Sequence, residues 1–221
     1  MQKEKVTIVE KILNANDQFA SENMQVFNDH NILAINIMAS PGSGKTSLIL
    51  NTIDRIYPKH RIAVIEGDTA PVTIDADKVN KKGIPAVQIN TGGDCHLDAL
   101  MVRKGMQALN LQNLDLVIIE NVGNLICPAT FNLGTHFNVV VASVPEGDDK
   151  PYKYPNIYRG IQSLVLNKID LLPYVDFDMD YFRSGIKALN PDAEIFPLSC
   201  KTGDGMQAWI NWLTGKIESK T

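Results

Sequence analysis

Apolar positions along this chain follow two patterns. Val9, Ile12, Leu13, Phe19, Ala20 and Phe27 fall close to i, i+3, i+4 spacing, which predicts an amphipathic helix, or two in tandem, ending near Asp29-His30-Asn31. Beyond them come short apolar runs bounded by turn residues: Ile32–Met38, Ile62–Ile65, Ala86–Ile89, Leu114–Ile119, Phe137–Ala142, Ser163–Leu166 and Ala193–Leu198. These read as buried strands. Thr46–Ile56, Ile74–Lys82 and Leu97–Leu109 have helical spacing and lie between strands, as the crossovers of a parallel sheet must. The expected fold is α/β, a doubly wound, mostly parallel sheet over residues 31–221 preceded by a helical extension over residues 1–30. In such sheets ligands sit beyond the carboxyl ends of the strands, so the residues after each apolar run are where chemistry is expected.

Composition narrows the classes. With 44% hydrophobic and 21% charged residues among 221, the chain can bury a single sizeable core, and no stretch approaches the roughly 20 apolar residues of a membrane span. A net charge of −4 gives no basic footprint, so neither nucleic acid nor a membrane is an expected partner. The first residues mix Lys and Glu with apolar positions and lack a signal-peptide pattern, which predicts a cytoplasmic protein. Three cysteines, Cys95, Cys127 and Cys200, cannot all pair within one chain and are expected as thiols.

The first strand runs into Ala39-Ser40-Pro41-Gly42-Ser43-Gly44-Lys45-Thr46-Ser47, the strand, loop and helix context of a Walker A motif. Gly42 and Gly44 let backbone N–H groups around Ser43 and Ser47 turn toward phosphate oxygens, Lys45 reaches the β- and γ-phosphates, and Thr46 offers a hydroxyl to Mg²⁺. Ala39 stands where the generic motif has glycine. Asn167-Lys168-Ile169-Asp170 ends a later strand with N-K-x-D, in which a carboxylate accepts from both the ring N–H and the exocyclic amine of guanine. Adenine has no such donor pair. Ser199-Cys200-Lys201 follows the last strand and resembles the S-A-K turn that packs on the base, which gives Cys200 a structural part. These motifs point to GTP and GDP as ligands.

Acids complete the set. Glu66-Gly67-Asp68 ends the second strand, and Asp68, or Asp75 further on, can hold Mg²⁺-bound water or position the attacking water. Glu120 ends a Walker B-like strand as E-N-x-G, with Gly123 placed like the glycine that senses the γ-phosphate. Lys45, Asp68, Asp75 and Glu120 are therefore the catalytic candidates, and Thr46, Asp68 and Glu120 the magnesium ligands.

Cys95-His96 follows one strand and Cys127 another, all on the nucleotide side. A closed transition-metal site takes four soft or borderline ligands, and one chain offers three, whereas two chains across a two-fold axis would offer six. Cys95, His96 and Cys127 thus suggest a Ni²⁺ or Zn²⁺ site at a homodimer interface. Taken on residues alone, a buried small hydrophobe at Cys127 and a metal-free helix start at Cys95-His96 explain them equally well.

In order, the P-loop, E-G-D, N-T-G-G-D-C-H-L-D, I-E-N-V-G-N-L-I-C-P, P-E-G-D-D-K-P-Y-K-Y-P and N-K-I-D-L-L-P resemble the HypB family, the hydrogenase nickel-incorporation GTPases. The resemblance runs from Ile12 to Met206. It implies a SIMIBI-class GTPase with slow hydrolysis, homodimerisation on GTP binding, and metal held by Cys95, His96 and Cys127. It also implies a HypA-like maturation partner and the hydrogenase large subunit as client. The loop Pro145–Pro155 would approach the partner subunit's nucleotide, with Lys153 or Lys150 reaching the γ-phosphate. Storage of many nickel ions is not expected, because His30, His60, His96 and His136 are scattered. Pro71 departs from the common family wording. The alternatives are a urease nickel-insertion GTPase, a P-loop kinase or ATPase with structural thiols, and a non-catalytic metal-binding scaffold.

Overall fold

The structure, a computed structural model, describes residues 8–69 and 74–220, except for the side chains of residues 8–11, 74 and 75. The seven strands are β1 (Leu33–Ala39), β2 (Ile62–Asp68), β3 (Ala86–Asn90), β4 (Leu116–Gly123), β5 (Phe137–Ser143), β6 (Ser163–Asn167) and β7 (Glu194–Pro197). They form one sheet in the order β3-β2-β4-β1-β5-β6-β7, parallel at every pairing. The sheet is thus wholly parallel among the described residues. Every residue of β1 and of β6 is buried, as expected of parallel strands covered by helices on both faces.

The helices are α1 (Ile8–Asp29), α2 (Lys45–Ile56), α3 (Ile74–Asn80), α4 (Ala99–Gln107), α5 (Lys150–Lys153), α6 (Pro155–Arg159), α7 (Met179–Leu189) and α8 (Met206–Glu218). α2 and α8 cover one stretch of the sheet, where the indole of Trp209 donates to Thr52 Oγ1 at 2.9 Å inside a cluster with Leu48, Ile53 and Leu213. α1 is one continuous helix rather than two. Phe27 at its end is fully buried, but Ile12, counted in the apolar stripe, is 52% exposed.

Polar side chains also fix α1. Asn16 donates to Asn132 O and accepts from Ala99 N, and Asn23, two turns on, donates to Ala99 O and Leu133 O. Gly134 lets the helix come this close: its φ is +79°, and a Cβ there would lie 2.1 Å from Ala20 O. Gly134→Ala combines left-handed strain with a backbone collision, for about 2–4 kcal/mol. A chain of this size loses roughly 2–4 °C per kcal/mol, so differential scanning calorimetry should find Tm lower by about 5–15 °C, whereas an unchanged Tm would show that α1 is not docked here.

At the far end of α1 the ring of His136 is held neutral. Burial and the nearby Lys220 ammonium push it down to about 4, its Nδ1 accepts from Ala34 N, and Nε2 donates to Asn28 Oδ1 at 3.1 Å.

A bipartite cavity and a thiol–imidazole cluster

The order of strands reverses on either side of β1, and the segment leaving β1 opens the site. Ala39 is still strand, paired with Gly123, so its backbone is extended and needs no glycine. The left-handed positions fall at Gly42 (φ +77°) and at Gly44 (φ +104°), the residue before α2. No side chain caps α2, whose N-terminus, at the end of the loop, is the positive end of the helix.

Two cavities of 560 Å³ each meet at this loop. One is lined by Pro41, Lys45, Thr46, Glu66, Asp68, Lys78, Glu120 and Gly123, the other by Asn51, Asn167, Lys168, Asp170, Leu171, Cys200 and Lys201. Gly42, Gly44 and Ser47 border both. In the first, the Thr46 hydroxyl donates to Glu120 Oε1 at 2.9 Å, and Glu120 lies in register with Glu66 on the next strand. Two carboxylates and a hydroxyl on one wall make a hard-oxygen donor set suited to a divalent cation. Gly123 abuts Pro41, where an added Cβ would come within 3.2 Å of the proline backbone.

In the second cavity Asn167 is a hub rather than a wall. Its amide donates to Ser43 O at 2.9 Å and accepts from Lys168 N at 2.8 Å and Cys200 N at 3.1 Å. Lys168 Nζ donates to Gly42 O at 2.7 Å. Ser199 Oγ donates to Asp170 Oδ1 at 2.6 Å and itself accepts from Lys201 N and Thr202 N, which orients the carboxylate. Burial pushes the Cys200 thiol up to about 11, which disfavours the thiolate at this position in the wall.

The sulfurs of Cys95 and Cys127 lie 2.6 Å apart as free thiols, Cys95 donating, and His96 Nδ1 is 3.8 Å from Cys95 Sγ. All three potential ligand atoms fall within 4.8 Å of one another. Donation to Cys127 and burial hold the Cys95 thiol above its ordinary range. Burial lowers His96 despite the opposing carboxylates of Asp94 and Asp98, and its ring stacks on Phe131 with centroids 3.9 Å apart. The donor set, two sulfurs and an imidazole, fits a borderline or soft cation such as Ni²⁺ or Zn²⁺.

Some expected residues stand elsewhere. Lys153 lines neither cavity and pairs with Asp149, while Lys150 Nζ sits 5.3 Å from the ring centre of Tyr154. Ser43 is fully buried beneath the loop, its hydroxyl donating to Ser40 O. Pro71 and the side chain of Asp75 lie outside the described residues. Lys78 in the first cavity, Asn121 beside Glu120 and Phe131 under His96 were not anticipated. Asn121 and Asn124 stood in plain view within E-N-V-G-N, but only the strand partners reveal what they hold.

The family model described as the CobW/HypB/UreG nucleotide-binding domain matches residues 33–197. Fold and site together define a P-loop GTPase of the SIMIBI class. The hydrogenase maturation factor HypB of Azotobacter vinelandii is 44% identical over 206 residues, covering 93% of this chain and 68% of its own. The hydrogenase/urease maturation factor HypB of Helicobacter pylori is 39% identical over 220 residues, covering 98% and 90%. The crystal structure of HypB from Helicobacter pylori in complex with nickel has a TM-score of 0.88 at 37% identity, covering 93% of this chain and 96% of that one. The chain belongs to the HypB family of hydrogenase maturation factors.

Proposed function

We propose that this chain is a GTP-hydrolysing metallochaperone that delivers nickel to a hydrogenase during its maturation. The observation that carries the proposal is that Cys95 and His96, from the loop after β3, and Cys127, from the loop after β4, bring their potential ligand atoms within 4.8 Å of one another. The nickel complex of the Helicobacter pylori relative supports nickel as cargo.

In this reading GTP lies across both cavities. Asp170, held by Ser199, accepts from the guanine N–H groups, Asn167 and Lys168 fix the loop around it, and Lys201 covers the base. Lys45 and the N–H groups at Gly42, Gly44 and Ser47 stabilise the charge that grows on the leaving GDP and the transferred phosphoryl group. Thr46, Asp68 and Glu120 would hold Mg²⁺, which would supply neutralisation of the phosphate charge. Asp68 or Asp75 orients the water whose oxygen bonds to the γ-phosphorus as the bond to the GDP oxygen breaks. Gly123, beside Pro41, senses whether the γ-phosphate is present.

GTP favours a homodimer in which Lys153 or Lys150 reaches the partner subunit's nucleotide, and hydrolysis releases it. A HypA-like protein and the hydrogenase large subunit are the partners at loading and delivery. The Helicobacter pylori relative's double name keeps urease as a second client to be tested. Where GTP tightens the dimer, linkage requires the dimer to bind GTP more tightly by the same factor.

The test is Cys127→Ala. Loss of one thiolate from a three-ligand site should weaken Ni²⁺ binding by at least about tenfold in isothermal titration. Unchanged affinity and stoichiometry would remove the cluster from the cargo path. Oligomeric state by light scattering, with GDP and with a non-hydrolysable GTP analogue, tests the dimer separately.

A further inference from the structure

Between the first cavity and the thiol–imidazole cluster lies a packed joint. Asn121 follows Glu120 in β4 and is 1% exposed. Its Oδ1 accepts from Leu97 N at 3.0 Å and from Val122 N at 2.9 Å, and its Nδ2 donates to Asn36 Oδ1 at 3.2 Å. Asn36 in turn donates to Asn138 at 3.0 Å, so a ladder of amides crosses β4, β1 and β5. Leu97, the next residue after His96, is fully buried and lies flat on Gly67 of β2, where a Cβ would come 2.5 Å from Leu97 Cγ. Gly67 stands between Glu66 and Asp68, both in the cavity wall.

Leu97 is therefore gripped from two sides, by the strand end that carries Glu66 and Asp68 and by the residue after Glu120. On the outer side Asn124 Nδ2 donates to Cys95 O at 3.2 Å and ties the two cysteine loops together. A close-packed interior transmits a displacement rather than absorbing it.

We propose that Asn121 is the positioning residue that makes Ni²⁺ affinity at the cluster depend on which nucleotide fills the cavity, acting through Leu97 and its seat on Gly67. The proposal rests on the reading of the cluster as a nickel site under nucleotide control. When the ends of β2 and β4 adjust to the γ-phosphate, Leu97 follows, and with it His96 and Cys95 one and two residues back. Cys127 moves with β4 itself, so both halves of the cluster answer to the same strand.

The test measures Ni²⁺ dissociation constants by isothermal titration with GDP and with a non-hydrolysable GTP analogue, and takes their ratio. In the unaltered protein that ratio should differ from one by about tenfold, an ordinary size for coupled sites. In Asn121→Leu, which removes the acceptor while keeping the number and branching of side-chain heavy atoms, it should fall to within about twofold of one. A residue that only held the fold together would shift both constants by a common factor and leave their ratio intact. Should Asn121→Leu fail to fold, Leu97→Ala, which lifts the wedge off Gly67, is expected to collapse the ratio in the same way. A folded variant that keeps the full ratio overturns the role of this joint while leaving nucleotide control standing. A ratio of one in the unaltered protein overturns both.

Discussion

Gly44→Ala should lower the affinity for GDP and GTP by roughly 100-fold to 1,000-fold without unfolding the chain. The residue has φ +104°, and a Cβ built on it would lie 2.3 Å from Asn167 Nδ2. Left-handed strain in a non-glycine residue costs about 1–3 kcal/mol, and displacing a buried amide from its partners about as much again. Asn167 is the worst neighbour to displace, because it also ties down Ser43, Lys168 and Cys200. One added methyl group therefore disturbs the walls of both cavities together. Titration with a fluescent GDP analogue, alongside a thermal melt by circular dichroism, measures both consequences. Tight binding by a folded Gly44→Ala protein would mean that the two loops are not locked as described.

Asp170→Ala should cost a similar factor by a different route, and only for guanine. The carboxylate is oriented by the Ser199 hydroxyl at 2.6 Å and faces the second cavity. Charge-assisted hydrogen bonds to guanine's two donors contribute about 1.5–3 kcal/mol each, so their loss predicts a drop in GTP affinity of at least about 100-fold. ATP, which lacks both donors, should bind the variant no worse than it binds the parent. Competition between GTP and ATP for one labelled nucleotide gives the selectivity directly. A variant that still preferred GTP would place base recognition elsewhere. Hydrolysis rates at saturating nucleotide should change far less than affinity, because Lys45, Asp68 and Glu120 line the other cavity.

Much of this was legible in the sequence because the informative contacts are local. A P-loop is a run of consecutive residues whose backbone makes the site, and the seven apolar runs each became a strand within a few residues of the expected ends. β4 outlasted its apolar run, because Glu120 to Gly123 stay in the sheet alongside β1. α7 and α8 are not among the helical stretches expected from spacing, although α8 carries Trp209, Ile210, Leu213 and Ile217 at helical spacing. Ile12 fits the stripe of α1 by periodicity, yet that stretch of the helix leaves it at the surface.

What stayed hidden depends on residues far apart in the chain. Nothing near Asn121 announces Leu97 as its partner, since the bond exists only once β4 lies beside the loop leaving β3. The same holds for Phe131 beneath His96 and for Lys78 entering the first cavity from α3. Asn16 and Asn23 read as polar positions on a surface helix, and become anchors only because Ala99 and Leu133 present backbone to them.

Gly42, Gly44 and Ser47 border both cavities, so the partition between them is the backbone of a single loop. A nucleotide laid across that partition brings its second half to the site at an effective concentration fixed by the ribose linkage, where guanosine and free phosphate would each bear the full entropic loss of capture. Fragments should accordingly bind far more weakly in sum than the intact molecule. The shared partition also makes the ligand's length a criterion of recognition, alongside its base and its charge.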